Sequence, residues 1–443
     1  MLHSVFTTTL LTMVLFCAPA AAAPPAVVNP QLLRQLQETI RQQQEQLQQQ
    51  AEQIRIQAET LRTLQQQVQV LQQPAAPAPH LAEPVTAAQK APSERLLHSP
   101  PPTVSSGSDR IKLTISGQIN RAVNVINDGR STNLYHVDNN ASNSRFRLVG
   151  TVQISNDLSL GSRIEVAVTP DISSQVSQTN QAPGTFFDQR WTEVSLASKS
   201  YGKLSLGKGD AASNTTAEID LSRTDLVQYS AIADIAGGIL FSETNGNRKL
   251  TTLKVADAFK NMDGLSRQSR LRYDTPSLYG FSLAGSLVSG QRYDAVLNWS
   301  GEGYGFRSAA ALALAHPKLV GYRLMYDGSF SLLHTSSGLN LTLSGGLLER
   351  DSGKDATNLY AKAGWIANFS KLGYTAFGID YTRSESVATV GDKGYSVGAA
   401  VVQAFEKYAT ELYLQYRIYS LDRANQNPVA DITVGTFGAR VKF

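Results

Sequence analysis

The chain has 443 residues, 42 % of them apolar and 17 % charged, with 33 glycines and a net charge of +4. This mixture excludes disorder throughout, and beyond residue 24 no apolar run approaches the roughly 18 residues of a membrane-crossing helix. Alternating strands are then the remaining way to cross a bilayer.

Residues 1–23 carry the apolar stretch TTTLLTMVLF and a run of small residues up to Ala23, which suits a secretory signal peptide, although its start lacks Lys and Arg. Cys17 is the only cysteine, so a chain cleaved after it has no disulfide, zinc thiolate or cysteine nucleophile. A lipoprotein reading would acylate Cys17, but Phe16 is bulky where that processing wants a small residue. A short segment, 24–30, follows.

Residues 31–73 are rich in Gln and keep an aliphatic residue at every seventh place: Leu33, Ile40, Leu47, Ile54, Leu61 and Val68. Three residues after each stand Leu36, Gln43, Gln50, Gln57, Leu64 and Leu71. A low-complexity tract has no reason to hold that beat, so a periplasmic coiled coil is expected, its Gln layers suiting a wet three-helix core. Arg34, Arg41, Arg55 and Arg62 pair along the outside with Glu38, Glu45, Glu52 and Glu59, as solvated support and not a nucleic-acid patch. Residues 74–109 mix prolines with Ala, Ser and Thr, which breaks any helix and makes a semi-extended linker.

At Arg110 the texture changes to IKLTISGQI, with Ile111, Leu113, Ile115 and Ile119 on one parity and Lys112, Thr114, Ser116 and Gln118 on the other. The same period of two returns in GSRIEVAV, FSLAGSL, LNLTLSG and ELYLQYRI, separated by turn signals such as Asn156-Asp157 and Asp327-Gly328. At roughly 21 residues per strand and connection, 110–443 supplies about 16 strands: an all-β fold, a transmembrane antiparallel barrel behind an N-terminal coiled coil. The last segment, DITVGTFGARVKF, puts Phe437, Val441 and Phe443 on one face and Thr436, Gly438, Arg440 and Lys442 on the other.

Several of these stretches resemble the general trimeric porins. The terminal pattern Thr436, Gly438, Val441, Phe443 is similar to the signal read by the barrel-assembly machinery. NSRFRLVGTVQISNDLSLGSRIEVAV, QRWTEVSLASKSYGKLSLGKGD and RLRYDTPSLYGF look like porin elements in porin order. The rod ahead of the barrel looks like the DcaP-like subgroup, and some phosphate-selective porins carry one too. The resemblance implies a homotrimer in the outer membrane whose third loop, here 209–247, folds into the lumen as a constriction. It implies acids Glu218, Asp220 and Asp225 on that loop, opposite basic wall residues Arg145 and Lys208. Arg147 shares the parity of Arg145, and Arg270 and Arg272 share another inward parity. Lys208 has the parity of Leu204 and Leu206, so only a bulge at Gly207 would aim it inward.

The expected function is passive diffusion of small hydrophilic solutes, anions preferred, with no cofactor, no metal and no nucleic acid. The barrel region holds 34 basic and 29 acidic side chains, a weak pointer to anions. A substrate-selective phosphate or dicarboxylate porin is the alternative within this class. A hydrolase needs a His paired with a nucleophile or carboxylate, and His136, His316 and His334 lie in no such motif. A trimeric adhesin also joins a coiled coil to a barrel, but there each chain donates only a few strands. The rod is expected either to set the spacing to the cell wall, with peptidoglycan as its neighbour, or to reinforce the trimer; lipid is the expected neighbour of the barrel.

Overall fold

The computed structural model describes residues 38, 41, 103–108 and 110–443. The expected signal peptide, the segment 24–30, the rod beyond the helical, exposed Glu38 and Arg41, and the linker apart from 103–108 lie outside the described residues. The chain forms two compact units, Met1–Thr86 and Ala87–Phe443, and the second carries the fold described below.

Sixteen wall strands follow in chain order. They are β1 (Ile111–Asn127), β2 in two parts (Thr132–Asp138 and Arg145–Gln153), β3 (Leu158–Pro170), β4 (Thr185–Ser198) and β5 (Gly202–Asp210). After a long connection come β6 (Arg267–Asp274), β7 (Phe281–Val288), β8 (Arg292–Gly303), β9 (Phe306–His316) and β10 (Tyr322–His334). The last are β11 (Leu339–Arg350), β12 (Ala356–Ser370), β13 (Gly373–Glu385), β14 (Lys393–Phe405), β15 (Thr410–Asp422) and β16 (Ile432–Lys442). Each pairs antiparallel with the next, and β16 returns to β1 from Gln118↔Lys442 to Asn127↔Thr433. A short leading strand, Val104–Gly107, pairs with β1 from Val104↔Ile115 to Gly107↔Lys112 and continues the line of β16 beyond Phe443. The wall strands thus close into a ring, the condition for a sheet to stand in hydrocarbon.

The side chains alternate across the wall. In β7, Phe281, Leu283 and Leu287 are exposed while Ser282, Ala284, Ser286 and Val288 are buried; in β15, Leu412, Leu414 and Tyr416 face out and Glu411, Tyr413, Gln415 and Arg417 face in. A soluble protein would hide those leucines, whereas here they make a lipid-facing band. Connections at the Phe443 end are short, for example 199–201, 304–305 and 371–372; those at the other end include 171–184 and 211–266.

The long connection 211–266, called L3 here, enters the barrel. It runs past the expected end at 247 because a hairpin (Leu240–Ser242 with Leu250–Lys254) and one helical turn (Val255–Ala258) follow before β6. Leu226, Ile232, Ile235, Ile239, Phe241 and Phe259 of L3 form an apolar core with Ile126, Tyr360, Val402, Tyr419 and Val434 of the wall. Smaller clusters join Met262 and Leu265 to Val288, Met325 and Leu348, and Ile219 to Ala309 and Ala311. At about 1.5 to 3 kcal/mol per large buried side chain, this packing fixes L3 against β7 to β16 and β1.

Polar ties sharpen the fit. Lys362 of β12 donates to Asp220, to Thr224 Oγ1 (2.9 Å) and to the Gln228 carbonyl (2.8 Å), and all four side chains are fully or nearly fully buried. Tyr419 donates to the Ile232 carbonyl (2.6 Å) and Asn124 to that of Ile235 (2.8 Å). Within the wall, Arg417 grips Asp380 through two nitrogens at 2.8 and 2.5 Å.

Candidate functional site

The wall left facing L3 is that of β2 to β6, and it is dense in arginine. Arg145 and Arg147 of β2 and Arg163 of β3 share the inward parity, as does Glu165 of β3, whose register partner is Arg147. Glu165 Oε2 accepts from Arg147 Nε at 2.5 Å and Arg163 Nη2 at 2.8 Å; Oε1 accepts from Arg190 Nε at 2.6 Å and lies 3.7 Å from Arg145 Nε. Glu165 is wholly buried, while the four arginines keep between 11 % and 23 % of their side-chain surface open to the lumen. One carboxylate holds four cations, so the surplus is positive and water-facing.

Arg190 arrives by a slip in the β3–β4 ladder. Glu165 pairs with Trp191 and Val166 with Gln189, which leaves Arg190 unpaired in a bulge that turns it inward. Beside it the Trp191 ring carries Arg163 at 3.5 Å and Arg267 at 4.9 Å from its centroid. The ring's negative faces let like charges sit close together. Gly209 makes the space: a Cβ there would stand 2.7 Å from Trp191 and 2.8 Å from an Arg270 nitrogen.

Across from this wall L3 presents three partly exposed carboxylates. Glu218 accepts from Asn261 Nδ2 at 3.0 Å, Asp234 from Asn140 Nδ2 at 2.6 Å and from Tyr229, and Asp263 from the backbone N–H groups of Thr215 (2.8 Å) and Ala217 (3.0 Å). Burial pushes all three carboxyls up, Asp263 to about 6, while the facing Arg267 pulls each back. Arg190 does the same to Asp234. A basic wall and an acidic loop thus face each other.

The structure distributes the residues expected from sequence unevenly. Arg145, Arg147 and Glu218 are at this crossing. Lys208 is not: its pairing continues unbroken to Thr192 and to Ser269 on either side, so despite a φ of +126° at Gly207 it stays on the outward parity of Leu204 and Leu206, 3.8 Å from Asp188. Asp220 points into the back wall at Lys362, and Asp225 lies on the same far side, within electrostatic range of Arg440 and Lys442. Arg270 and Arg272 face inward but are spent on structure. Arg270 is buried against Glu193 (2.5 Å) and the Asp210 carbonyl, and Arg272 pairs with Asp274 (2.7 Å) and the Ala211 carbonyl, so both pin the entry to L3. Arg163, Glu165, Arg190, Arg267, Asp234 and Asp263 were not singled out in the sequence. Parity alone would have found Arg163 and Glu165; Arg190 needs the bulge.

The terminal strand keeps its alternation. Thr436 and Gly438 face in, where Gly438 leaves room for the Tyr413 ring that a Cβ would meet at 2.3 Å, and Val441 and Phe443 face out. Phe443 closes on Gly117 through two backbone bonds of 2.6 and 3.0 Å.

A family model described as Gram-negative porin matches residues 75–440. The chain belongs to the Gram-negative porins. Among solved structures, the anion-selective porin from Comamonas acidovorans is similar at a TM-score of 0.53 and 15 % identity, over 75 % of this chain and 100 % of that one. OmpT of Vibrio cholerae, folded in vitro, gives 0.51 and 12 % over 76 % and 99 %; OmpF of Salmonella typhi in complex with daunomycin gives 0.51 and 12 % over 77 % and 100 %. At such identities the likeness is one of fold. No curated protein matches the chain at significant similarity. This porin is an outer-membrane channel and not an enzyme. Short turns in such barrels are periplasmic, which puts Phe443 and the leading strand on that side.

Proposed function

We propose that this porin passes small hydrophilic solutes with a preference for anions, and that its selective element is the crossing between the arginine wall and L3. The observation that carries the reading is Glu165: a single buried carboxylate neutralises only part of four arginines whose remaining charge faces water. Surplus charge of one sign on a narrow wall lowers the entry barrier for the opposite sign, and the opposed acids add a transverse field that orients dipolar solutes. Two charges about 8 Å apart interact by roughly 2 kcal/mol at an effective dielectric of 20, enough for severalfold discrimination. The anion-selective porin among the structural neighbours is in keeping with this. Liposome swelling tests it: a small organic anion should enter faster than a cation of the same size, and equal or reversed rates would refute the preference.

The porin is also proposed to be a homotrimer. Arg121 and Lys208 sit on the outward parity of Ile119, Val125, Leu204 and Leu206, positions that lipid solvates poorly and a neighbouring barrel would cover. The native mass of the detergent-extracted porin should be three times that of the protomer; a monomer would remove this part of the proposal. The finer likeness to the DcaP-like subgroup and a role for the rod at the cell wall rest on residues 31–73.

A further inference from the structure

Strand β2 is interrupted between Asp138 and Arg145, where residues 139–144 leave the sheet and make a single 3-10 turn, Asn140–Ser142. A break in a wall strand strands backbone groups, and here other side chains meet them. Gln118 Nε2 donates to the carbonyls of Ser142 (2.8 Å) and Asn143 (2.9 Å), and Asn120 Nδ2 to that of Ser142 (2.9 Å). Arg440 donates to Ser142 Oγ at 2.7 Å, and the Asn139 side chain caps the turn by accepting from the Ala141 N–H at 3.0 Å. Asn139, Ser142, Asn143 and Ser144 are all buried. The interruption is therefore an ordered insertion into the lumen, held from β1 and β16.

The insertion touches both charged faces. On one side Asn140 Nδ2 donates to Asp234 Oδ1 at 2.6 Å, while Asn139 Nδ2 donates to the Leu226 carbonyl of L3 at 3.1 Å. On the other, Asn143 Oδ1 accepts from Arg145 Nη1 at 3.1 Å. Ser173, from the 171–184 connection, locks the same corner by accepting from the Asn140 N–H at 2.9 Å and donating to the Asp234 carbonyl at 2.5 Å. Asn140 is only partly buried, so it borders open lumen.

We infer that residues 139–144 are a second jaw of the constriction: they fix the separation of the acidic loop from the basic wall and so set the width of the slot, with Asn140 as the side chain at its edge. The charges choose the sign of the solute; the jaw acts on every solute, charged or not. It follows that the size limit is set jointly by L3 and by an insertion in β2.

Neutral sugars of graded size separate this inference from the anion preference, because their flux is indifferent to charge. The full-length porin is reconstituted in liposomes with two variants, Asn140→Trp and the pair Asn139→Ala with Asn140→Ala. Filling the slot edge should slow sugar entry about twofold or more and lower the size limit, and releasing L3 from the insertion should speed entry of the larger sugars. Unchanged sugar rates in both variants overturn the jaw. If the Trp variant fails to fold, the Ala pair decides alone: rates equal to the native porin overturn it, and faster entry of large sugars supports it.

Discussion

Arg190 reaches Glu165, its Nε 2.6 Å from Oε1, because the ladder between β3 and β4 slips by one residue beside that pair. With unbroken alternation Arg190 would take the parity opposite to Trp191 and face lipid, where an arginine costs about 2 to 4 kcal/mol near the midplane. The slip converts an unfavourable position into the fourth cation of the lumen wall.

Glu165→Gln should be strongly destabilising. It leaves Arg145, Arg147, Arg163 and Arg190 crowded without their shared carboxylate, a loss on the order of 3 to 5 kcal/mol for a broken buried ion cluster. Urea unfolding of the barrel in lipid vesicles measures it; a midpoint equal to that of the native porin would show that the cluster is held by other means.

Selectivity should depend on pH. Asp263 ionises at about 6 because burial and the nearby Asp210 raise it against two backbone N–H bonds. Asp263 therefore carries its charge above that pH and loses it below, which weakens the acidic face, so anion preference should grow as pH falls from 8 to 5. An ordinary aspartate would place the change near 4. A flat selectivity across this window in bilayer recordings would remove Asp263 from the crossing.

Lys362→Met should loosen L3, since the ammonium binds three L3 groups and its loss leaves Asp220 buried without a cation. Noisier single-channel currents and a stability loss of about 3 kcal/mol are expected, with partial recovery when Asp220→Leu is added. Quiet native-like currents in the single variant would mean that the apolar core alone holds the loop.

Deleting Phe443 should impair assembly more than conduction. The residue closes β16 on Gly117 and belongs to the terminal pattern, so unfolded chain should accumulate in the periplasm, as fractionation and immunoblotting would detect. Normal insertion of the truncated chain would separate the pattern from the assembly signal.

The barrel was legible because its evidence is local and repeated: period-two alternation, turns at even spacing and a closing strand ending on Phe443. The position of L3 could be placed by likeness of the flanking strands, yet the aim of its acids could not. Whether Asp220 meets the lumen or Lys362 depends on a pairing across 142 residues of chain, which no periodicity encodes. Lys208 and Arg190 show the same limit from opposite sides. A suspected bulge at Gly207 leaves pairing intact, and the bulge that matters sits at Arg190, opposite Glu165 and Val166, with no glycine to mark it. The insertion at 139–144 carries no local sequence signal, because the hydrogen-bond partners that define it come from β1, β15 and β16.

The most direct test of the arginine wall as the selective element is the zero-current potential of the reconstituted porin across a potassium chloride gradient at low ionic strength, where screening is weakest. The native porin should show the sign of chloride preference, reduced by Arg147→Ala with Arg190→Ala and unchanged by Lys208→Ala. A cation-selective native pore, or a potential that ignores the loss of both arginines, would contradict the account.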